Sequence, residues 1–208
     1  AMRIKNLSKI QVEINQIIEL YKNNELDVAR QKTLRLVKKN SQLPFVHNLL
    51  GAINHRLLKI DEALINYEKA TQLDLNYYDA FVNLGKILID LNNHYYAEET
   101  LLKAIKLNPK PFDAYMNLGK LESIRLNYKN GILNYKQALK INPSSAAANN
   151  NIATTYILLG DLNSAKAHLE EALKLNYKFP QALNNLGGIL LAEGKKDKAI
   201  NFVLNKKI

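Results

Sequence analysis

Residues 78–111 read YDAFVNLGKILIDLNNHYYAEETLLKAIKLNPKP, and features of this 34-residue segment recur along the chain. A Leu-Gly pair or its equivalent recurs every 34 residues, at Leu50-Gly51, Leu84-Gly85, Leu118-Gly119, Ile152-Ala153 and Leu186-Gly187. A small residue follows twelve positions after the second member of each pair, at Ala63, Ala97, Gly131, Ala165 and Ala199. Five copies in one register indicate internal repeats, and such a period is typical of stacked helical units.

The residue types within each repeat predict two amphipathic helices that cross closely. Apolar residues recur with the i, i+3, i+4, i+7 spacing of a helix face. The small residues let the two backbones approach, and a large residue lies beside them, at Tyr67, Leu101, Tyr135, Leu169 and Val203. Asn-Pro at Pro109 and Pro143 ends the second helix, because proline cannot continue it and disfavours helix in the preceding residue. We therefore predict an all-α chain of antiparallel helix pairs.

This pattern resembles the tetratricopeptide repeat family, whose 34-residue unit carries Leu-Gly, an aromatic residue, two alanines and a terminal proline. The resemblance covers nearly the whole chain. It implies a right-handed superhelical solenoid in which the first helix of every repeat lines a concave groove. We expect one continuous repeat domain made of an N-terminal cap segment at 2–9, a degenerate first repeat at 10–43, four full repeats at 44–77, 78–111, 112–145 and 146–179, and a truncated sixth repeat at 180–208.

In this family the groove is built from positions 2, 5, 6, 9, 12 and 13 of each repeat, and asparagine dominates two of these rows here. Position 6 holds Asn15, Asn83, Asn117, Asn151 and Asn185, and position 5 holds Asn48, Asn150 and Asn184. The column resembles the asparagine ladder of O-linked N-acetylglucosamine transferase and, less closely, that of kinesin light chain, where it holds extended protein segments. A carboxamide both donates and accepts hydrogen bonds, so such a column can clamp a peptide backbone. It can also bond to a neighbouring helix and fix the stacking, and the sequence leaves both roles open.

Other groove positions add charged and apolar side chains. Position 9 supplies Lys86 and Lys120, position 13 of the second repeat supplies Arg56, and position 5 supplies Val82 and Met116. The lysines can equally be solvated neighbours of acidic residues, and the apolar pair can be packing residues. The residues that grip the C-terminal carboxylate of a chaperone are missing as a set, so we do not expect a chaperone-tail receptor.

The sequence offers no catalytic or metal-binding constellation. It has no cysteine, and its four histidines lie in different repeats or on different faces. Ser164 and His168 are one helical turn apart, but an exposed helix face gives a nucleophile neither an oriented base nor an oxyanion site. We expect no enzyme activity, no cofactor and no bound metal.

Net charge and the absence of targeting signals limit the kinds of partner and compartment that we expect. The chain has 29 Lys and Arg against 19 Asp and Glu, a formal net charge of +10, but the two signs are interleaved. Mixed charge is typical of a solvated helix face, which makes a nucleic-acid partner the weakest hypothesis. Because we find no secretory signal, no membrane-spanning segment and no cysteine, we expect a cytoplasmic protein.

These observations predict a non-catalytic scaffold that binds an extended segment of another protein. The first alternative is the substrate-recruiting arm of a larger enzyme of the glycosyltransferase or sulfotransferase type, because similar bacterial arrays often precede such domains. The second is a homo-oligomer that assembles through the C-terminal end of the array, where the last repeat is short. The identity of the ligand does not follow from the repeat pattern, since function depends on the side chains that a fold carries.

Overall fold

The computed structural model describes the backbone of residues 2–205 and the side chains of residues 9–200. Within this range the chain forms twelve α-helices and no strand. The helices are α1 (Met2–Lys22), α2 (Leu26–Lys39), α3 (Pro44–Arg56), α4 (Ile60–Leu73), α5 (Tyr78–Asp90), α6 (His94–Leu107), α7 (Phe112–Ile124), α8 (Tyr128–Ile141), α9 (Ala146–Leu158), α10 (Leu162–Leu175), α11 (Pro180–Ala192) and α12 (Lys196–Asn205).

The first helices of five repeats start 34 residues apart. Helices α3, α5, α7, α9 and α11 begin at residues 44, 78, 112, 146 and 180, and each is 13 residues long. Pro44 and Pro180 stand in the first turn of α3 and α11, where the fixed φ of proline suits a helix and its missing N–H is not needed. The segment 2–9, which we predict to act as an N-terminal cap, is the first part of α1.

The helices pack into two compact units that divide between Leu107 and Asn108. In the first unit each helix from α1 to α5 packs on the next one, and α3 also packs on α5. In the second unit each helix from α7 to α11 packs on the next one, and α9 also packs on α7 and α11. Each helix pair therefore buries an apolar face on its neighbour within the same unit, as stacked repeats do.

The small residues of the repeat lie where paired helices come closest. Ala63, Ala97 and Ala165 are fully buried. Gly119 of α7 lies against Tyr135 of α8, and a Cβ atom on this glycine would be 2.5 Å from the tyrosine ring. The sequence places small residues at these positions because any larger side chain would hold the two helices apart.

The turn between paired helices repeats with the same 34-residue period. Its left-handed residue is Asn24, Leu58 or Asn92 in the first unit and Leu126, Gly160 or Gly194 in the second. The next backbone N–H bonds to a carbonyl of the preceding helix, as from Lys59 to Asn54 O at 2.9 Å, which satisfies groups that the helix end leaves unpaired. Glycine adopts this conformation without strain. Asparagine tolerates this conformation, but leucine at two of the six positions carries no sequence signal for it.

Candidate functional site

Two of the predicted asparagines bond to each other across first helices of the first unit. Asn83 Nδ2 of α5 donates to Asn48 Oδ1 of α3 at 3.0 Å, and Asn48 Nδ2 donates to the Tyr77 hydroxyl at 3.2 Å. Asn48 is buried and Asn83 is half-buried. These amides join α3 to α5, so at this point the asparagine column contributes to stacking.

The same arrangement recurs in the second unit, between α9 and α11. Asn185 Nδ2 donates to Asn150 Oδ1 at 3.0 Å and lies 3.2 Å from Thr154 Oγ1. Asn150 is buried, and its partner is 35 residues further along the chain, as in the first unit. A position-6 asparagine thus bonds to position 5 of the preceding repeat when that residue is also asparagine.

The remaining position-6 amides of the second unit are engaged differently. Asn117 Nδ2 donates to the Asp113 carbonyl of its own helix at 2.9 Å. For Asn151 of α9, the position-5 residue of the preceding repeat is Met116. Methionine has no carboxamide with which Asn151 could form the corresponding hydrogen bond. Both asparagines are half-buried, and both line a pocket of about 420 Å³.

This pocket, which we call the α7–α9 pocket, collects four of the predicted residues from two adjacent repeats. The predicted residues are Met116, Asn117, Lys120 and Asn151. The rest of the lining was not predicted and consists of Ser123, Ile124, Tyr135, Thr154, Thr155 and Leu158. The repeat positions could have found four of these residues, since Thr154 lies at position 9, Ser123 at position 12, and Ile124 and Leu158 at position 13.

The hydroxyl groups of the α7–α9 pocket are bonded largely to the protein itself. Ser123 Oγ donates to the Gly119 carbonyl at 2.9 Å, and Thr155 Oγ1 donates to the Asn151 carbonyl at 2.9 Å. Burial raises the pKa of the Tyr135 phenol to about 12, although a hydrogen bond with Ser123 lowers it, so the phenol stays neutral near pH 7. Uncharged hydroxyls and apolar side chains therefore form this wall, which suits an apolar ligand group better than an ion.

Arg56 and Val82 take part in contacts within the first unit. Arg56 Nη1 donates to the Tyr21 carbonyl at 2.8 Å and Nη2 donates to Asn24 Oδ1 at 2.7 Å. The Arg56 guanidinium also lies 4.5 Å from the centroid of the Tyr21 ring, which makes a cation–π contact. Val82 is buried. These contacts favour a packing role for both residues.

Three predicted residues outside the second-unit pocket are exposed. Lys86 lies on α5 and Asn184 lies on α11. Asn15 accepts a hydrogen bond from Gln11 Nε2 at 3.0 Å and lines a separate pocket of about 470 Å³ on α1. The structure thus does not bring all the predicted residues into one site.

Ser164 and His168, which lie one helical turn apart, each form a hydrogen bond with another residue. Ser164 Oγ donates to Asp161 Oδ2 at 2.6 Å at the start of α10, and the His168 ring bonds to Asn149 Oδ1 at 2.9 Å. In the part of the chain that the structure describes, no three His, Cys, Asp or Glu side chains are grouped closely enough to hold a metal ion. None of the described helices combines the length and the apolar character that crossing a membrane requires.

Comparison with known proteins identifies the repeats. The family model described as "Tetratricopeptide repeat" matches residues 78–111, and a second model with the same description matches residues 127–184. No curated protein sequence matches the chain.

Solved structures with similar folds have low sequence identity to the chain. A thermophilic TPR protein from Thermus thermophilus is 20% identical with a TM-score of 0.78, over 88% of this chain and 99% of that one. PilW, described as a widely conserved type IV pilus biogenesis factor, is 18% identical with a TM-score of 0.83, over 91% and 88%. YrrB, described as a TPR protein with an unusual peptide-binding site, is 22% identical with a TM-score of 0.61, over 83% and 89%. These matches confirm the predicted all-α repeat fold, and residues 78–111 and 127–184 are recognised as tetratricopeptide repeats.

Proposed function

We propose that this chain is a non-catalytic interaction scaffold that holds an extended segment of another protein on the first helices of its repeats. The observation that carries the proposal is the α7–α9 pocket, where predicted residues of two adjacent repeats line one concavity. Helical repeats create binding surfaces of this kind because each repeat adds one first helix to the same face. At the level of fold, the proposal agrees with YrrB, which is described as having a peptide-binding site.

The asparagines of the pocket are suited to a peptide backbone. A carboxamide has two N–H donors and an oxygen with two lone pairs, and the bond from Asn117 to Asp113 uses one N–H. An extended peptide presents alternating N–H and C=O groups that need partners when they leave water. Asn117 and Asn151, 34 residues apart on adjacent first helices, can therefore bind peptide groups at two points along the segment without reading its side chains.

A peptide selection with matched variants tests this function. Random dodecapeptides would be selected by mRNA display on the full chain and then titrated by fluorescence anisotropy against the wild type, Asn117→Ala and Asn134→Ala. Asn134 is the control because its Nδ2 donates to the carbonyl four residues earlier, at 3.0 Å, as that of Asn117 does, but it lies on the second helix α8.

We expect the selected peptides to bind Asn117→Ala roughly threefold to tenfold more weakly, which is the contribution of one hydrogen bond. Binding to Asn134→Ala should equal that of the wild type. If no peptide is selected, or if both variants bind the peptides as tightly as the wild type does, the proposed function is wrong.

A further inference from the structure

The α7–α9 pocket has an apolar rim that the first unit lacks. Ile124 and Leu158 stand at position 13 of the fourth and fifth repeats, with 43% and 56% of their surfaces exposed. The corresponding residues of the second and third repeats are Arg56 and Asp90. An isolated exposed leucine needs no explanation, but two large aliphatic residues that line the same pocket form a surface suited to an apolar group.

The rest of the pocket completes a site for a single large side chain. Met116 provides a third apolar contact, and methionine adapts to side chains of different shape. The Tyr135 ring, buried and neutral, forms the inner wall. A volume of about 420 Å³ exceeds the needs of one bulky aliphatic or aromatic group and leaves space for the flanking backbone beside Asn117 and Asn151.

Net charge indicates which kind of segment carries that side chain. The second unit has 14 Lys and Arg against 7 Asp and Glu, so most of the excess positive charge of the chain lies in it. Lys120 is part of the pocket lining. Because opposite charge speeds and favours association while like charge opposes it, this unit favours an acidic partner over a second copy of the same basic chain.

We propose that the α7–α9 pocket is an anchor site that takes a large aliphatic or aromatic side chain of an acidic, extended segment of a partner protein. This proposal rests on the proposed function, and it adds the chemical class of the segment that binds. The asparagines hold the backbone, the apolar rim covers the anchor side chain, and the positive unit selects acidic neighbours on the segment.

The test compares two exposed leucines of the second unit. Peptides selected on the full chain would be titrated against the wild type, Leu158→Gln and Leu133→Gln. Leu133 of α8 is 58% exposed, which is close to the exposure of Leu158, and it does not line the α7–α9 pocket. Circular dichroism and urea unfolding would first establish that both variants fold as the wild type does.

We expect the selected peptides to share one large apolar residue flanked by Asp or Glu. Leu158→Gln should weaken their binding by about tenfold or more, because the large apolar side chain of the peptide would no longer be buried against Leu158. Leu133→Gln should leave binding unchanged.

Other outcomes separate the two proposals. If Asn117→Ala weakens binding and Leu158→Gln does not, the anchor site is wrong and the proposed function stands. If neither variant has an effect, or no peptide is selected, both proposals are wrong. If the wild type forms a dimer in analytical ultracentrifugation and Leu158→Gln is monomeric, the pocket binds a second copy of the chain. The proposal that it binds an acidic segment is then wrong.

Discussion

Gly119 of α7 packs against the ring of Tyr135 in α8, and an added methyl group has no room there. A Cβ atom on Gly119 would lie 2.5 Å from Tyr135 Cδ1 and Cε1 and 2.8 Å from Cζ. Carbon atoms pack at roughly 3.5–4.0 Å, so the ring would have to move by about 1 Å or the two helices would separate. Tyr135 is buried and cannot swing into solvent. We expect Gly119→Ala to introduce an overpacking cost of about 1–3 kcal/mol.

The higher helix propensity of alanine partly offsets this cost. Substitution of a second glycine, which has no close neighbour, measures the propensity gain alone. Alanine favours a helix interior over glycine by about 1 kcal/mol. Gly188 of α11, in the same unit, has no atom within 4 Å of the position of an added Cβ, so Gly188→Ala should gain stability by about that amount. The free energies of unfolding of the two variants should therefore differ by about 1–3 kcal/mol, with Gly119→Ala the less stable.

Urea unfolding followed by circular dichroism measures the difference. The overpacking cost should shrink in a Tyr135→Ala background, because the ring that the added methyl group would meet is absent there. If Gly119→Ala and Gly188→Ala stabilise the protein equally, the close approach of α7 and α8 does not limit residue size, and the packing argument is refuted.

Three further predictions concern a turn, a histidine and the stacking amides. Leu58→Asn should raise the thermal midpoint by about 2–4 °C for each kcal/mol gained. Leucine has φ of 59° there with 81% of its surface exposed, and the left-handed conformation costs it about 1–2 kcal/mol; a lower midpoint would contradict this. Burial is the main cause that lowers the pKa of His168 below its usual value, so the unfolded chain binds this proton more readily than the folded chain. The stability from neutral His168 is therefore fully present above about pH 6.5 and is lost as the pH falls through the folded pKa. His168→Asn should flatten the dependence of the urea midpoint on pH in the mildly acidic range, and an unchanged slope would show that this group does not cause it. Asn185→Ala should cost about 1–2 kcal/mol in urea unfolding because it removes the donor to the buried Asn150 oxygen, whereas Asn117→Ala, which loses a bond within its own helix, should cost less. Equal costs for these two variants would argue against a stacking role for Asn185.

The repeat period predicted the helices well because it depends on short-range rules. The 34-residue spacing of Leu-Gly pairs and small residues predicts where paired helices cross, and the first helices start at the same spacing. The turns were harder to predict. Gly160 and Gly194 carry a turn signal, since glycine adopts a positive φ without strain, but Leu58 and Leu126 adopt the same left-handed conformation without one. There the stacking of neighbouring helices imposes a backbone conformation that the residue itself disfavours.

The candidate site was predicted only in part, because its residues lie in several rows of the repeat. The asparagine row led to Asn117 and Asn151, and position 9 led to Lys120, all of which line the α7–α9 pocket. Ile124 and Leu158 were missed, although position 13 was recognised as a groove position. Sequence alone also left open how each amide is used, because the bond that an asparagine makes depends on the residue that the neighbouring helix presents.

The residue at position 5 decides whether the asparagine at position 6 of the next repeat takes part in stacking. Where it is Asn150, it accepts the bond from the position-6 asparagine of the next repeat, and the amide is committed to stacking. Where it is Met116, the next repeat's Asn151 has no carboxamide partner at that position, and the methionine side chain instead lines the α7–α9 pocket. The presence of methionine instead of asparagine at position 5 thus has two effects. It leaves the Asn151 amide out of the stacking bond, and it supplies an apolar side chain to the pocket. Met116→Asn should therefore raise the urea midpoint, because a new amide bond would join α7 to α9, and it should weaken the binding of the selected peptides. Tighter peptide binding together with lower stability would contradict this account of position 5.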